Sequence, residues 1–257
     1  MPLNRPFGSW QGRYVWIIGA SSGIGAALAR ELIASGAHVA VSARRPDALR
    51  QVAGGSPDAL VLPLDVTEPA SVLAAHGVLR QHWPWLHMVV LVAGSYQPMR
   101  ADQLDIRAAE ELIDLNLRSV YRCLDVVLPG MLRQGSGGIA IVSSVAGYSG
   151  LPRALVYGPT KAALINLCES LYCDLHQKGL DVYMINPGFV ATPLTARNDF
   201  PMPALMQPEA AAQRIARGME KGRFHIHFPR RFTNLLRFAR LLPYGLYFRL
   251  IRKVTGL

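Results

Sequence analysis

Tyr14-Val-Trp-Ile-Ile18 leads directly into Gly19-Ala-Ser-Ser-Gly23-Ile-Gly25, and an apolar stretch of helical period then runs to Ala34, just before Gly36. A β-rich pentapeptide, three glycines in seven positions and a helical period together spell strand, tight turn, helix. Gly19 can supply the turn after the strand. Gly23 and Gly25 let phosphates approach the backbone and let the helix pack on the sheet. The helix N-terminus then offers free N–H groups and a partial positive charge to a pyrophosphate. Glycines at this spacing often only make a turn. The strand–turn–helix context at the head of an α/β chain favours a phosphate cradle that also includes Ser21, Ser22 and Ile24.

Outward from this stretch, the same rhythm continues. Apolar runs at 38–42, 59–64, 87–92, 138–143 and 181–185 read as strands, and 224–228 as a last one. Helical patterns fill 69–82, 106–132 (with Pro129 near its end) and 153–177 (with Pro159 in its first turns). The runs before 224 are near-continuously apolar, as in parallel strands covered on both faces, while 224–228 alternates and sets His225 and His227 on the opposite face. The expected fold class is therefore α/β: a Rossmann-type doubly wound parallel sheet of about seven strands in one domain, residues 1–228. A basic helical extension, 229–257, follows it.

Composition narrows the function classes. A chain of 257 residues with 51% hydrophobic and 17% charged side chains buries a sizeable core and is not disordered. Cys123, Cys168 and Cys173 have neither disulfide-framework nor metal-ligand spacing, so reduced thiols, a cytoplasmic setting and no metal are expected. Residues 1–12 lack the apolar segment of a signal peptide, and no run approaches the roughly 18 apolar residues of a membrane span. The net charge of +10 is uneven: 221–257 hold nine basic and no acidic residues, while 1–220 hold 18 basic and 17 acidic.

Two further stretches bear on a cofactor. An acid after the second strand would accept hydrogen bonds from an NAD ribose, but this chain has Ser42-Ala-Arg44-Arg45. Guanidinium groups there suit the 2′-phosphate of NADP(H), so NADP(H) is the preferred cofactor and NAD(H) the other option. The bland alternative is a pair of solvated loop arginines. Asp65-Val66, after the third strand, can meet an adenine edge, or Asp65 simply opens the next helix ahead of Thr67.

Chemistry is carried by Tyr157 and Lys161, four apart and so on one helix face. A free phenol has a pKa near 10; a neighbouring ammonium is expected to lower it and permit proton exchange with a carbonyl or alcohol oxygen. Ser144, beyond the fifth strand, can hold the same oxygen, with Ser143 as its competitor. A surface helix pair is the bland alternative for Tyr157 and Lys161. For Asn116 it is a helical amide that only satisfies a backbone group.

Together, Gly19-x-x-x-Gly23-x-Gly25, Asn116, Ser144, Tyr157-x-x-x-Lys161 and Pro187-Gly188-x-x-x-Thr192 resemble the short-chain dehydrogenases/reductases, in their branch of about 250 residues. The resemblance covers about 12–228. It implies Tyr157 as the acid/base, Lys161 also on the nicotinamide ribose, and Asn116 in a water relay. Its spacing of thirteen residues before the tyrosine selects Ser144. It further implies Ala93 and Gly94 at the adenosine side, and Pro187, Gly188, Val190 and Thr192 around the carboxamide and phosphates. Two departures stand out: Leu91-Val92 replaces the family's Asn-Asn, and Ile18 its usual Thr.

By the same resemblance, about 189–207 covers the substrate. Phe189, Leu194 and Phe200, with Met202, Leu205 and Met206, would line an apolar wall for a hydrophobic ketone or secondary alcohol. The expected protein is an NADPH-preferring oxidoreductase working as a homodimer or homotetramer. The alternative is a catalytically silent NADP-binding sensor or membrane-associated scaffold. His225 and His227 lack a third metal ligand and read as solvated or hydrogen-bonded. The extension mixes apolar residues with seven arginines and lysines, split by Pro243 and Gly245 into two short helices. It suits either a peripheral anionic membrane surface or docking on the protein; nucleic acid is not expected, since no binding motif accompanies the charge.

Overall fold

The computed structural model describes residues 2–198 and 200–255. Asp199 of the substrate loop, Gly256 and Leu257 of the extension, and Met1 lie outside the described residues. Seven strands form one parallel sheet: β1 (Tyr14–Ile18), β2 (His38–Ser42), β3 (Ala59–Val61), β4 (Met88–Leu91), β5 (Gly137–Val142), β6 (Leu180–Pro187) and β7 (His225–Phe228). Their spatial order is β3-β2-β1-β4-β5-β6-β7, so the chain reverses direction across the sheet between β1 and β4. Ligands of such sheets bind at this switch point, beyond the carboxyl ends of the strands.

The strands β1 to β6 feed two cores, whereas β7 adds Ile226 and Phe228 to one of them. Val15 and Ile17 of β1 face α1 (Gly23–Ala34), α2 (Pro46–Ala53) and α7 (Pro208–Glu220), whereas Trp16 and Ile18 face α3 (Pro69–His82), α5 (Ser119–Gln134) and α6 (Tyr157–Leu175). Burial on both faces explains why the strands read as unbroken apolar runs. Between α3 and α5, α4 (Ile106–Ile113) passes through a π-turn at Asp114–Arg118. The expected helix from 106 to 132 is thus interrupted there, and Pro129 does not end it. Pro129 and Asp125 both face solvent, where water can replace the hydrogen bond that proline cannot donate.

β3 is shorter than its apolar run suggested, although the Leu62 and Leu64 N–H groups still donate to the Val41 and Ala43 carbonyls at 3.0 and 3.1 Å and both side chains pack in the core. The extension forms α8 (Arg230–Ala239) and α9 (Tyr244–Thr255), with Gly245 inside α9 rather than at a break. Among the described residues, no helix is long and apolar enough to cross a membrane. The two family departures are accommodated by packing. Ile18 and Leu91 lie opposite each other in one core, and the Val92 and Ala93 N–H groups both donate to the Ile18 carbonyl at 2.8 and 3.0 Å.

Candidate active site

At the carboxyl ends of β1 and β4, Gly19 (φ 101°) sits where a Cβ would come within 2.4 Å of the Ala93 nitrogen. The close approach of these two strand ends therefore requires glycine. A Cβ on Gly25 would lie 2.2 Å from the Gly19 carbonyl oxygen, so the helix start can pack on the turn only as glycine. Ser22 caps α1 in an extended conformation with no side-chain hydrogen bond to the helix, and the first turn carries no acid. The N–H groups of this turn are left for an anion. Thr192 packs over Gly23, where a Cβ would meet its methyl at 2.8 Å, bringing two distant stretches of the chain together.

Gly19, Ser21, Ser22, Gly23 and Ile24 line a cavity of about 1910 Å³ shared with Arg44, Arg45, Asp65, Val66, Ala93 and Gly94. That exceeds the roughly 300–1,000 Å³ of a single small-ligand pocket and has room for a dinucleotide beside a substrate. Gly25 lies beneath this wall. Arg44 and Arg45 are exposed on the rim. One Asp65 carboxylate oxygen accepts from the Thr67 N–H (2.9 Å) and hydroxyl (2.7 Å). Burial pushes its pKa up, but these bonds and the Arg44 charge outweigh it and leave the group below its ordinary value. Asp65 thus caps its own turn while facing the cavity.

Across the cavity, Ser144, Tyr157 and Lys161 converge. Ser144 accepts from the Ala146 N–H at 3.1 Å and is hydrogen-bonded to the Tyr157 phenol. Its competitor Ser143 is buried and donates to the Lys161 carbonyl at 2.7 Å, which ties β5 to α6. Lys161 is buried, donates to the Val142 carbonyl at 3.0 Å and lies 5.7 Å from the Tyr157 ring centroid. Gly147 permits this approach, since a Cβ there would stand 2.7 Å from Lys161 backbone atoms. Nothing in the local pattern around Gly147 pointed to that role.

Asn116 sits in the π-turn, which a bidentate pair from Arg122 to Asp114 (2.9 and 2.6 Å) braces. Its amide accepts from the Ser95 N–H (2.8 Å) and donates to the Ser95 carbonyl (2.9 Å). The side chain thus satisfies backbone groups and also reaches the Thr160 hydroxyl at 3.4 Å. This clamp holds Gly94 so near that a Cβ would be 3.1 Å from Asn116 Oδ1 and 3.5 Å from Lys161 Nζ.

The electrostatics differ from expectation. Burial pushes the Tyr157 phenol up to about 12, with the Ser144 hydrogen bond pulling the other way and Tyr96 adding to the rise. Burial also brings Lys161 down to about 8. Desolvation, which the helix spacing does not encode, overrides the expected lowering of Tyr157 by the lysine. Both groups are thus protonated at neutral pH, the phenol fully and the lysine mostly.

Pro187, Gly188, Val190 and Thr192 line the same cavity after β6. The Val190 carbonyl accepts from the Thr195 hydroxyl at 2.6 Å, and Val190 pairs with Met206 to fold the following loop back. Phe189, Leu194 and Phe200 form an apolar wall, with the two phenylalanine rings edge-to-face at 6.0 Å. Leu205 is exposed instead, and Met206 packs toward the core around α7. The sequence reading missed Tyr96, which meets the Tyr157 ring edge-on at 5.1 Å, because it lies in a loop without period. It also missed that Phe232, Leu236 and Ile251 of the extension complete the cavity wall. His225 is held by the Tyr148 hydroxyl (3.0 Å) and His227 by Thr233 (2.6 Å), so both are hydrogen-bonded.

Comparison with known proteins bears on this arrangement. The short chain dehydrogenase family model matches residues 13–200. An uncharacterized oxidoreductase of Myxococcus xanthus is 34% identical, the match covering 91% of this chain and 94% of that protein. Among solved structures, a short chain dehydrogenase from Burkholderia cenocepacia in complex with NADP is 20% identical with a TM-score of 0.83, covering 95% of this chain and 99% of that one. A 3-ketoacyl-(acyl-carrier-protein) reductase from Brucella melitensis complexed with NADH is 23% identical with a TM-score of 0.78, covering 86% and 99%. At such identities the structures speak for the fold; the family match and the Myxococcus relative carry the assignment. The chain belongs to the short-chain dehydrogenase family and is an oxidoreductase of that family.

Proposed function

We propose that this oxidoreductase is an NADPH-preferring carbonyl reductase for hydrophobic ketones, reversible as a secondary-alcohol dehydrogenase. The observation that carries the reading is the Tyr157–Ser144 hydrogen bond beside buried Lys161, on a cavity shared with the glycine turn. The bound nicotinamide supplies the hydride. Tyr157 Oη donates the proton to the substrate oxygen, and the Ser144 hydroxyl steadies charge developing on that oxygen. Lys161 holds the cofactor ribose and keeps positive charge near the phenol. Asn116 supports proton supply by fixing the Gly94–Ser95 backbone beside Lys161.

The N–H groups at 22–24 would hold a pyrophosphate, and Pro187, Gly188, Val190 and Thr192 would hold the nicotinamide end. Arg44 and Arg45, just beyond the carboxyl end of β2 in a stretch, 42–45, without an acid, favour a 2′-phosphate. Phe189, Leu194 and Phe200 favour an apolar carbonyl compound. Ile113 and Tyr121, exposed on α4 and α5, are available to pair protomers into a homodimer or homotetramer. The three unpaired cysteines suit a reducing, cytoplasmic setting. The test is a panel of apolar ketones assayed with NADPH and with NADH. Oxidation of NADPH by at least one ketone is expected, and silence across a broad panel would leave a cofactor-binding sensor as the better reading.

A further inference from the structure

We propose that α8 and α9 rest on an anionic lipid surface and that the substrate cavity takes its ketone from that surface. The substrate half of this proposal rests on the carbonyl-reductase reading, whereas the docking half stands on the two helices alone. Their inner faces are anchored: Thr233, Ala239 and Tyr247 are buried, and the Tyr247 hydroxyl donates to the Gly150 carbonyl at 2.6 Å. From the same faces, Phe232, Leu236 and Ile251 line the cavity that holds Tyr157. The extension is therefore a wall of the site and not a free tail.

The outer faces carry what an internal wall does not need. Leu235 is 64% exposed, Phe238 69%, Leu241 77% and Tyr244 79%. A cluster of large apolar side chains in water marks an interaction surface. Around them, 229–257 carry seven basic residues and no acidic one. The groove between α7 and β7 adds Arg214, Arg217, Lys221 and Arg223 next to Arg230, again with no acid among its lining residues.

Charge complementarity chooses the occupant. A second copy docked through the same face would set basic surface against basic surface, with no acid in 229–257 to pair with it. Nucleic acid would neutralise the arginines but offer nothing to Leu235, Phe238 and Leu241. An anionic bilayer takes both: apolar side chains enter the headgroup–acyl boundary while the basic groups meet lipid phosphates. The helices, of ten and twelve residues, are too short to span it and would lie in its plane. A ketone dissolved in the bilayer then meets the cavity wall directly, without full transfer through water.

The test is co-sedimentation of the full chain at low ionic strength, with vesicles of phosphatidylcholine alone or mixed equally with phosphatidylglycerol. Sedimentation with the anionic vesicles, lost in high salt and on pure phosphatidylcholine, is expected. The triple variant Arg249→Gln/Arg252→Gln/Lys253→Gln should bind on the order of 100-fold more weakly. Leu235→Ser/Phe238→Ser/Leu241→Ser should lose at least about tenfold. Unchanged thermal unfolding and NADPH-fluorescence titration would show that both variants fold. With an active ketone from the panel, both should reduce a water-soluble form at the wild-type rate and a bilayer-dissolved long-chain form more slowly. Wild type remaining in the supernatant, variants sedimenting equally, or a wild-type dimer that the variants dissolve would each overturn the proposal. Vesicle binding needs no turnover, so a failed reductase reading and a failed docking surface give separate results.

Discussion

The Lys161 ammonium lies 5.7 Å from the centroid of the Tyr157 ring and donates to the carbonyl of Val142 at 3.0 Å. The helix turn that separates the two residues brings them together, but β5 holds the lysine in place. Burial keeps the phenol protonated up to about 12 and the lysine largely charged below about 8, so both carry their protons at neutral pH.

Tyr157→Phe is expected to lower turnover by at least about 10³-fold while NADPH still quenches protein fluorescence with near-wild-type affinity. Rates close to wild type would remove the phenol from the reaction.

Reduction needs the protonated phenol and the charged lysine, so it should be faster near pH 7 than above pH 9, where a lysine at about 8 has lost its charge. Alcohol oxidation needs the phenolate and should accelerate over the same interval. Initial rates in both directions across this range check the opposite slopes.

Arg44→Ala/Arg45→Ala should weaken NADPH by about tenfold to a hundredfold and leave NADH within about threefold, because each guanidinium–phosphate contact is worth roughly 1.5–3 kcal/mol before solvent screening reduces it at this exposed rim. Equal losses for both cofactors in binding titrations would place the arginines elsewhere.

Burial, the neighbouring His227 and Arg237 hold His225 down to about 3, and burial with neighbouring arginines holds His227 down to about 4. In the unfolded chain both titrate near 6.5. The unfolded state therefore binds more protons as pH falls below about 6.5, and stability drops progressively down to the folded values. Thermal melts should show about 1–3 kcal/mol lost between pH 7 and pH 5, after discounting for partial exposure. A His225→Asn/His227→Asn variant should lose clearly less over that interval.

Gly25→Ala would force a Cβ to within 2.2 Å of the Gly19 carbonyl oxygen and should cost about 3 kcal/mol or prevent folding. Gly54→Ala, where nothing lies within 4 Å of an added Cβ, meets no such atom and bears only the strain of its φ of 59°. Urea denaturation of the two variants compares packing with backbone strain directly.

Much of this protein was legible because it is written locally. Strand, glycine turn and helix follow one another at 14–34, and four residues place Tyr157 and Lys161 on one face, whatever surrounds them. The alternation of apolar runs with helical periods implied a sheet covered on both sides, and Ile18 and Leu91 show why replacing polar family residues leaves the strand ends joined: backbone bonds and apolar packing suffice. Helix ends were less legible, since the π-turn at Asp114–Arg118 depends on a clamp from Arg122 and on Ser95, 21 residues away.

Other features were decided only by contacts between distant parts of the chain. Ser143 and Ser144 are neighbours with one side chain type, and their separation into a buried strut and a cavity hydroxyl follows from the Lys161 carbonyl lying beneath the first. Burial by residues distant in the chain raises the Tyr157 pKa, and spacing along one helix carries no information about desolvation. The basic extension offered two readings by composition, and its inner face docks on the domain because Gly150 and the cavity wall meet it there. Local pattern was enough for the fold class and for singling out the candidate site residues. Tertiary structure decided their protonation, the separate tasks of the two serines and the closure of the cavity by α8 and α9, because burial and docking are set by neighbours far away in sequence.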